Sequence, residues 1–414
     1  MQNEIWYPYA QIQNLPAQLE VVRAEGVTLH LADGRELIDA ISSWWSVIHG
    51  YGHPELNAAA KGQIDRMAHV MLGGLTHQPA QQLAEKLVAI TPTGLNHVFF
   101  ADSGSVGVEV ALKMSLQYWK NTDHPQKEKF VALRNAYHGD SLGSMSVCDP
   151  VDSMHSQFSG LLQRNYFLDA PDNANLSSDI ETMEKFISDH HRELAGFIVE
   201  PLLQAAGGFN MYSPEYLRAA RAVCDQCDVL LLFDEVATGF GRTGSLFAAD
   251  QAGISPDIMV LGKALTAGYF GHSATLATTR VFEGFYGDDY SCAFMHGPTF
   301  MGNATICAIA LKSIEIFERE DYLARIARIE SLLNQNLKRI RSEHIKDIRV
   351  LGATGVVEVF EPVSLSGIQD FAADHRVWLR PFGGCVYTMP AYVIADEQLM
   401  KIITVIDQWF QLER

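Results

Sequence analysis

Short apolar runs that end in charged residues alternate along this chain with amphipathic stretches of helical period. The run VLLLF (residues 229–233) ends in Asp234 and Glu235, and the run IMVL (residues 258–261) ends in Gly262 and Lys263. Uninterrupted apolar runs of this length are typical of strands that are buried on both faces of a parallel sheet. Between about residues 49 and 320 such runs alternate with helical patterns, which predicts an α/β fold with a mainly parallel sheet.

The two ends of the chain show a different pattern. Near the N-terminus, apolar residues alternate around Gly26 and around Asp33-Gly34, which predicts a small antiparallel meander. Near the C-terminus, a helical pattern at 322–341 precedes several short apolar segments, and another helical pattern closes the chain at 397–412. These segments predict a second, smaller sheet with its own helices.

Composition narrows the possible partners and location. The 414 residues carry a net charge of −18, which argues against a nucleic-acid partner because such a partner requires basic patches. No apolar stretch approaches the length that spans a bilayer, and the N-terminus lacks the features of a secretory signal. Six scattered cysteines indicate reduced thiols and a cytoplasmic location. Cys224 and Cys227 are interpreted as helix-packed thiols, and we expect no metal site.

Asp234 and Lys263 are the first candidates for chemistry. Open α/β sheets bind ligands just outside the carboxyl ends of their strands, so both side chains are expected at one site. A lysine there can hold pyridoxal phosphate as a Schiff base, and a carboxylate can pair with its pyridinium nitrogen. Gly104 and Ser105 follow a predicted strand and begin a predicted helix, where free backbone N–H groups favour a phosphate.

A competing motif lies in the same region. The segment GFGRTG (residues 239–244) fits the G-x-G-x-x-G pattern of an NAD-dependent dehydrogenase. That motif requires its first glycine at the turn from strand to helix and an acidic residue at the end of the next strand. Here five residues separate the strand from Gly239, and the next strand ends in Lys263. NAD binding is therefore the weaker hypothesis, as is a binding protein without catalysis.

DEVATGFGRTG and LGKALTAG together resemble the signature of the class III (fold type I) aminotransferases, and the resemblance extends over nearly the whole chain. It implies transamination with pyridoxal 5'-phosphate as cofactor. It also implies a large domain with a mainly parallel sheet and a small α+β domain built from both termini. The expected boundaries are 1–48 for the N-terminal part of the small domain, 49–320 for the large domain, and 321–414 for the C-terminal part.

The resemblance also assigns roles to individual residues. Lys263 carries the cofactor and moves the proton, Asp234 faces the pyridinium nitrogen, and Tyr137 stacks on the ring. The phosphate is expected to contact Gly104 and Ser105 of one subunit. Across the interface of a homodimer with shared active sites, it is expected to contact two residues of the other subunit, Pro298 and Thr299.

Several segments are similar to one branch of the family, which uses S-adenosyl-L-methionine to aminate 8-amino-7-oxononanoate in a ping-pong reaction of biotin biosynthesis. These segments are SSWW, GSVGVEVALK, YHGDSLGSMSVCDP, FMHGPTFMGN and WLRPFG. In this branch Arg380 would bind the remote carboxylate of the acceptor. The other expected substrate contacts are Tyr9, Trp44, Trp45, Tyr137, Lys263 and Gly297. Another ω-amine, or lysine as the amino donor, remains an alternative.

Overall fold

The N-terminal strands form a sheet to which the C-terminal region contributes a strand. The computed structural model describes residues 4–13, 15–151 and 154–412. Strands β1 (Val21–Glu25), β2 (Thr28–Leu31) and β3 (Glu36–Asp39) are antiparallel, which confirms the predicted meander. Strand β15 (Val377–Trp378) pairs with β3 in parallel. Segments from both ends of the chain therefore share one small sheet.

The central sheet has seven strands. In spatial order they are β4 (Leu95–Ala101), β12 (Ser273–Thr278), β11 (Ile258–Leu261), β10 (Leu230–Asp234), β7 (Leu194–Val199), β5 (Lys129–Leu133) and β6 (Tyr166–Leu168). Strand β12 is antiparallel to both of its neighbours, and the four pairings from β11 to β6 are parallel. The mainly parallel α/β sheet is thus confirmed.

Helices cover both faces of this sheet. Residues Leu231 and Phe233 of β10 pack on one side with α6 (Leu176–His190) and α7 (Pro214–Cys227). Leu230 and Leu232 pack on the other side with α4 (Gly104–Asn121). All five residues of β10 are buried, as expected for a central strand. The helices of this region are α2 (Pro54–Ile64), α3 (Gln78–Ile90), α4 (Gly104–Asn121), α5 (Leu142–Ser146), α6 (Leu176–His190), α7 (Pro214–Cys227), α8 (Ala248–Ala252), α9 (Thr279–Glu283) and α10 (Ala304–Arg319).

The C-terminal region builds a second antiparallel sheet of β13 (Ile345–Leu351), β14 (Thr354–Val359) and β16 (Cys385–Thr388). It also holds α11 (Tyr322–Asn336), α12 (Ile368–Asp374) and α13 (Asp396–Phe410). The boundary predicted at residue 320 falls in the connection between α10 and α11.

Three kinds of short element complete the fold. Strands β8 (Leu203–Gln204) and β9 (Asn210–Met211) pair, and residues Ser42–Trp45 form a single turn, α1. Short 3-10 helices span Ser156–Leu161, Lys263–Thr266, Tyr290–Cys292, Leu337–Arg339 and Pro362–Leu365. Across the described residues, every helix is too short or too polar to span a lipid bilayer.

Candidate active site

The carboxyl ends of β10 and β11 bring Asp234 and Lys263 to the same edge of the sheet. Asp234 is paired with Val260 across the two parallel strands, and Lys263 lies three residues after Val260 in the chain. Gly262 lies next to the N-terminus of α4, because a Cβ on it would be 3.5 Å from the Cα of Gly104, an ordinary van der Waals distance. Lys263 directly follows this glycine.

The Lys263 amine lies in an environment that favours its neutral form. Burial lowers its pKa, and the carboxylates of Asp234, Glu200 and Asp140 oppose that shift more weakly. Its Nζ lies 4.6 Å from the centre of the Trp45 ring. A lysine with a lowered pKa can act as a nucleophile and as a proton acceptor.

Asp234 is buried and its two oxygens have different partners. Oδ1 accepts a hydrogen bond from the N–H of Val236 at 3.0 Å, and Oδ2 lies 2.8 Å from Nδ1 of His138. Both side chains are almost completely shielded from solvent. The sequence reasoning missed His138, which is 96 residues from Asp234 in the chain, although it directly follows Tyr137 in the YHGD segment.

Two further buried carboxylates order the surrounding loops. Glu200 accepts hydrogen bonds from the N–H groups of Tyr137 and Ala205 at 3.0 and 3.1 Å, and burial raises its pKa to about 7. Glu235 accepts two hydrogen bonds at 2.9 Å from the N–H groups that begin α8. Glu200 thus fixes the loop that carries Tyr137.

Tyr137 belongs to a polar network around Asp140. The Asp140 carboxylate accepts hydrogen bonds from the hydroxyls of Tyr9 at 2.7 Å and Tyr137 at 3.1 Å, and it lies 2.8 Å from Nε2 of His155. The His155 contact is the main cause that lowers the pKa of Asp140. The rings of His155 and Tyr137 stack, with centres 5.7 Å apart. Asp140 and His155 were not predicted as site residues.

The N-terminus of α4 lies in contact with the loop that follows β10. A Cβ on Gly104 would meet a methyl carbon of Val236 at 2.6 Å, so only glycine allows this approach. Ser103 caps the helix by accepting a hydrogen bond from the N–H of Val106, and Ser105 Oγ lies 2.8 Å from Ser141 Oγ. The first N–H groups of a helix have no partner within it, so this end of α4 could hold an anion such as a phosphate.

The segment that contains Gly297, Pro298 and Thr299 lies elsewhere on the chain's surface. Gly297 and Thr299 are exposed. The neighbouring His296 lies 2.8 Å from Nζ of Lys113 on α4 and also contacts Phe99 on β4. The contacts of His296 therefore connect this segment to α4 and β4.

Trp44 and Trp45 lie on α1, where four consecutive residues have positive φ angles. The φ angles of residues 42–45 are 44°, 46°, 53° and 73°, and none of them is glycine. For such residues the left-handed conformation costs about 1–2 kcal/mol each. Trp44 is partly exposed, and its ring centre lies 5.3 Å from the guanidinium of Arg380. Trp45 is 7% exposed and packs in the core, with its ring beside Lys263.

The glycine-rich run after β10 does not begin a helix. Turns follow β10 until α8 begins at Ala248. Within this run Arg242 is buried and donates to the carbonyl oxygens of Ala353 and Pro390, both at 3.0 Å. The strand–glycine–helix geometry of a dinucleotide site is therefore missing from this described segment.

Among the described residues, one group has the spacing of a metal site. His53, Glu55 and Glu320 have potential ligand atoms within 4.8 Å of one another. Arg319 forms ion pairs with both carboxylates, which makes the group a poor cation site. Cys224 and Cys227 are free thiols on α7, buried and half-buried respectively.

Comparison with known proteins decides the family. Residues 9–410 match the family described as "Aminotransferase class-III". The chain is a class III aminotransferase. Proteins named adenosylmethionine-8-amino-7-oxononanoate aminotransferase from Mycobacterium leprae and Buchnera aphidicola subsp. Baizongia pistaciae are 45% and 43% identical to it. The alignments cover 96% and 99% of this chain, and 93% and 96% of those proteins.

Solved structures agree with this assignment. The aminotransferase superposes on the adenosylmethionine-8-amino-7-oxononanoate aminotransferase from Methanocaldococcus jannaschii with a TM-score of 0.94 and 30% identity, covering 99% and 97% of the two chains. A PLP-bound amine transaminase from an uncultivated Pseudomonas species superposes with a TM-score of 0.92 and 29% identity, and the match covers 99% of each chain. The fold type I architecture is thereby confirmed.

The aminotransferase uses pyridoxal 5'-phosphate, as its family does. The residues present fit this cofactor. They offer a buried carboxylate for a cationic ring nitrogen, a lysine with a lowered pKa, and a helix N-terminus of suitable charge for the phosphate. The family assignment also removes the NAD-dependent dehydrogenase and the non-catalytic binding protein from the candidate functions.

Proposed function

We propose that this aminotransferase transfers the amino group of S-adenosyl-L-methionine to 8-amino-7-oxononanoate, forming 7,8-diaminononanoate for biotin biosynthesis. The observation that carries the proposal is the shared name of relatives that are 43–45% identical over nearly their full length. The match in the SSWW and WLRPFG segments supports the same branch of the family. When bound, pyridoxal phosphate supplies an electron sink that makes the Cα proton of an amine substrate acidic.

Lys263 and Asp234 would perform the central steps. Lys263 Nζ would hold the cofactor. Once released from it, the amine would take the proton from the substrate's Cα and deliver it to the C4′ carbon of the cofactor. Its lowered pKa supports this role, because only a neutral amine accepts a proton. Asp234 would pair its carboxylate with the cofactor's ring nitrogen. His138 would orient that carboxylate through the 2.8 Å contact with its second oxygen.

Arg380 would orient the acceptor. Its planar guanidinium suits a carboxylate at the far end of an apolar chain, and Trp44 and Tyr9 provide the adjoining aromatic surface. Tyr9 also reaches Asp140, so this wall of the site carries a cation at one end and a carboxylate at the other. Tyr137 would lie against the cofactor ring, and Gly104 and Ser105 would hold its phosphate.

A homodimer is part of the proposal. Pro298, Thr299 and Gly297 would complete the neighbouring subunit's site, with Thr299 contacting the phosphate there. Gly297 and Thr299 are exposed in the single chain, which leaves them accessible to a neighbouring subunit and supports this role. Each subunit would then depend on its partner for cofactor binding.

The nearest alternative is transamination of another ω-amine, or lysine as the donor. The similarity to an amine transaminase structure keeps this alternative open to experiment. The test is to incubate the holoenzyme with 8-amino-7-oxononanoate and each candidate donor, and to quantify 7,8-diaminononanoate by mass spectrometry. Product formed with S-adenosyl-L-methionine supports the proposal. Product formed only with lysine, or with neither donor, contradicts it.

A further inference from the structure

The left-handed turn α1 depends on support from outside the turn. L-amino acids disfavour positive φ because Cβ approaches the following carbonyl oxygen, and a run of four such residues compounds the effect. Residues 42–45 contain no glycine to relieve it. Strained backbone of this kind persists only where the surrounding contacts hold it, and it is concentrated at functional sites.

Asp39 and Tyr51 supply that support. The buried Asp39 carboxylate accepts hydrogen bonds from the N–H of Ile41 through Oδ1 and from the N–H of Ser43 through Oδ2, both at 2.9 Å. The Tyr51 hydroxyl donates to the same Oδ2 at 2.6 Å and also contacts Ser43 Oγ. Ser42 Oγ anchors the other side by donating to the carbonyl of Met389. Asp39 thus holds backbone groups at the start and in the middle of the turn.

The turn places two consecutive indole rings against two different cations. The Trp45 ring faces Nζ of Lys263 at 4.6 Å, and the Trp44 ring faces the guanidinium of Arg380 at 5.3 Å. One short segment with this backbone therefore contacts both the lysine and the proposed substrate arginine.

We propose that Asp39 and Tyr51 are positioning residues that hold α1 left-handed and thereby set the Trp44 and Trp45 rings against Arg380 and Lys263. Neither Asp39 nor Tyr51 needs to contact substrate or cofactor for this role. The roles of Lys263 and Arg380 rest on the proposed function, whereas the geometry of the turn does not.

The decisive variant is Asp39→Asn, because asparagine keeps the shape but replaces one acceptor oxygen with an NH₂ group. The N–H groups of Ile41 and Ser43 both donate to Asp39, so one of these two contacts must then be lost, whereas the Tyr51 hydroxyl can still accept from the NH₂ group. Misplaced contacts of this kind should lower kcat/KM by about tenfold or more. Asp33→Asn is the matched control, since Asp33 also accepts a backbone N–H, from Arg35, but at an exposed turn. The kcat/KM of Asp33→Asn should stay within about twofold of the wild-type value.

Rescue separates positioning from a general loss of stability. Glycine adopts positive φ at little cost. Adding Ser43→Gly to Asp39→Asn should therefore restore part of the lost kcat/KM and return the near-ultraviolet circular dichroism of the tryptophans toward wild type. This optical signal requires no substrate, so it tests the turn even if the proposed donor or acceptor is wrong.

Three results would overturn the inference. These are activity of Asp39→Asn within about twofold of Asp33→Asn, an unchanged tryptophan dichroism signal, or a double variant no better than Asp39→Asn. If Asp39→Asn does not fold, Tyr51→Phe removes a single hydroxyl and decides the question. It should change the same dichroism signal and lower kcat/KM, and wild-type values for both would refute the role of Tyr51 and of its contact with Asp39.

Discussion

Replacing Arg380 with alanine tests how the site would choose its acceptor. The guanidinium is half-buried beside Trp44, so a carboxylate bound there would form a charge-assisted contact with partial shielding from water. Such a contact contributes about 1.5–3 kcal/mol, which corresponds to about 10–100-fold in kcat/KM. The lost contact with the Trp44 ring accounts for only about 0.5–1 kcal/mol at a partly exposed position. Most of the expected loss therefore depends on the acceptor's carboxylate.

The assay compares kcat/KM for 8-amino-7-oxononanoate and for an analogue that lacks the carboxylate. Arg380→Ala should lower kcat/KM by about 10–100-fold with 8-amino-7-oxononanoate, and by much less with the analogue that lacks the carboxylate. Arg380→Lys should recover only part, because an ammonium cannot make the paired planar contact. Arg339→Ala, at an exposed arginine on a 3-10 turn, is the control. Equal losses for both acceptors would show that Arg380 has a structural role and would refute the reasoning.

Three further predictions concern the cofactor site, the assembly and the core. Asp234→Asn should slow the first half-reaction about 10–100-fold, and by more than it weakens cofactor retention; an unchanged single-turnover rate would contradict this. Sedimentation should show an active homodimer, and Thr299→Ala should weaken cofactor retention; a fully active monomer would refute the shared site. Lys127→Met should cost about 3 kcal/mol of unfolding free energy, because Nζ of Lys127 donates to the carbonyls of His191 and Asp228 beneath the Trp119 ring. Denaturant unfolding measures this, with the exposed Lys120→Met as control.

The strand-end residues could be predicted from the sequence because the signal is local. An apolar run that ends in a charged residue identifies both the strand and the side chain that it carries to the sheet edge. Asp234, Lys263 and the N-terminus of α4 were found in this way, and the structure places Gly262, which precedes Lys263, in contact with Gly104. The small sheet followed in the same manner from alternation around Gly26 and Gly34.

Contacts between distant segments could not be predicted in this way. The pairing of His138 with Asp234 and of Tyr9 with Asp140 joins residues 96 and 131 positions apart, and no local pattern encodes either. The burial of Trp45 beside Lys263 was not predicted either, because it accompanies a left-handed turn that L-residues rarely adopt.

The central claim is that Lys263 carries out amino transfer from S-adenosyl-L-methionine. The most direct test is a single-turnover half-reaction, in which the holoenzyme is mixed with this donor alone and the cofactor's visible absorption is followed. The account predicts rapid conversion of the cofactor to its amino form in the wild type. It predicts negligible conversion in Lys263→Ala, even when that variant retains bound cofactor. Conversion by Lys263→Ala at a tenth of the wild-type rate or more, or a wild-type enzyme that responds to lysine but not to S-adenosyl-L-methionine, would contradict it.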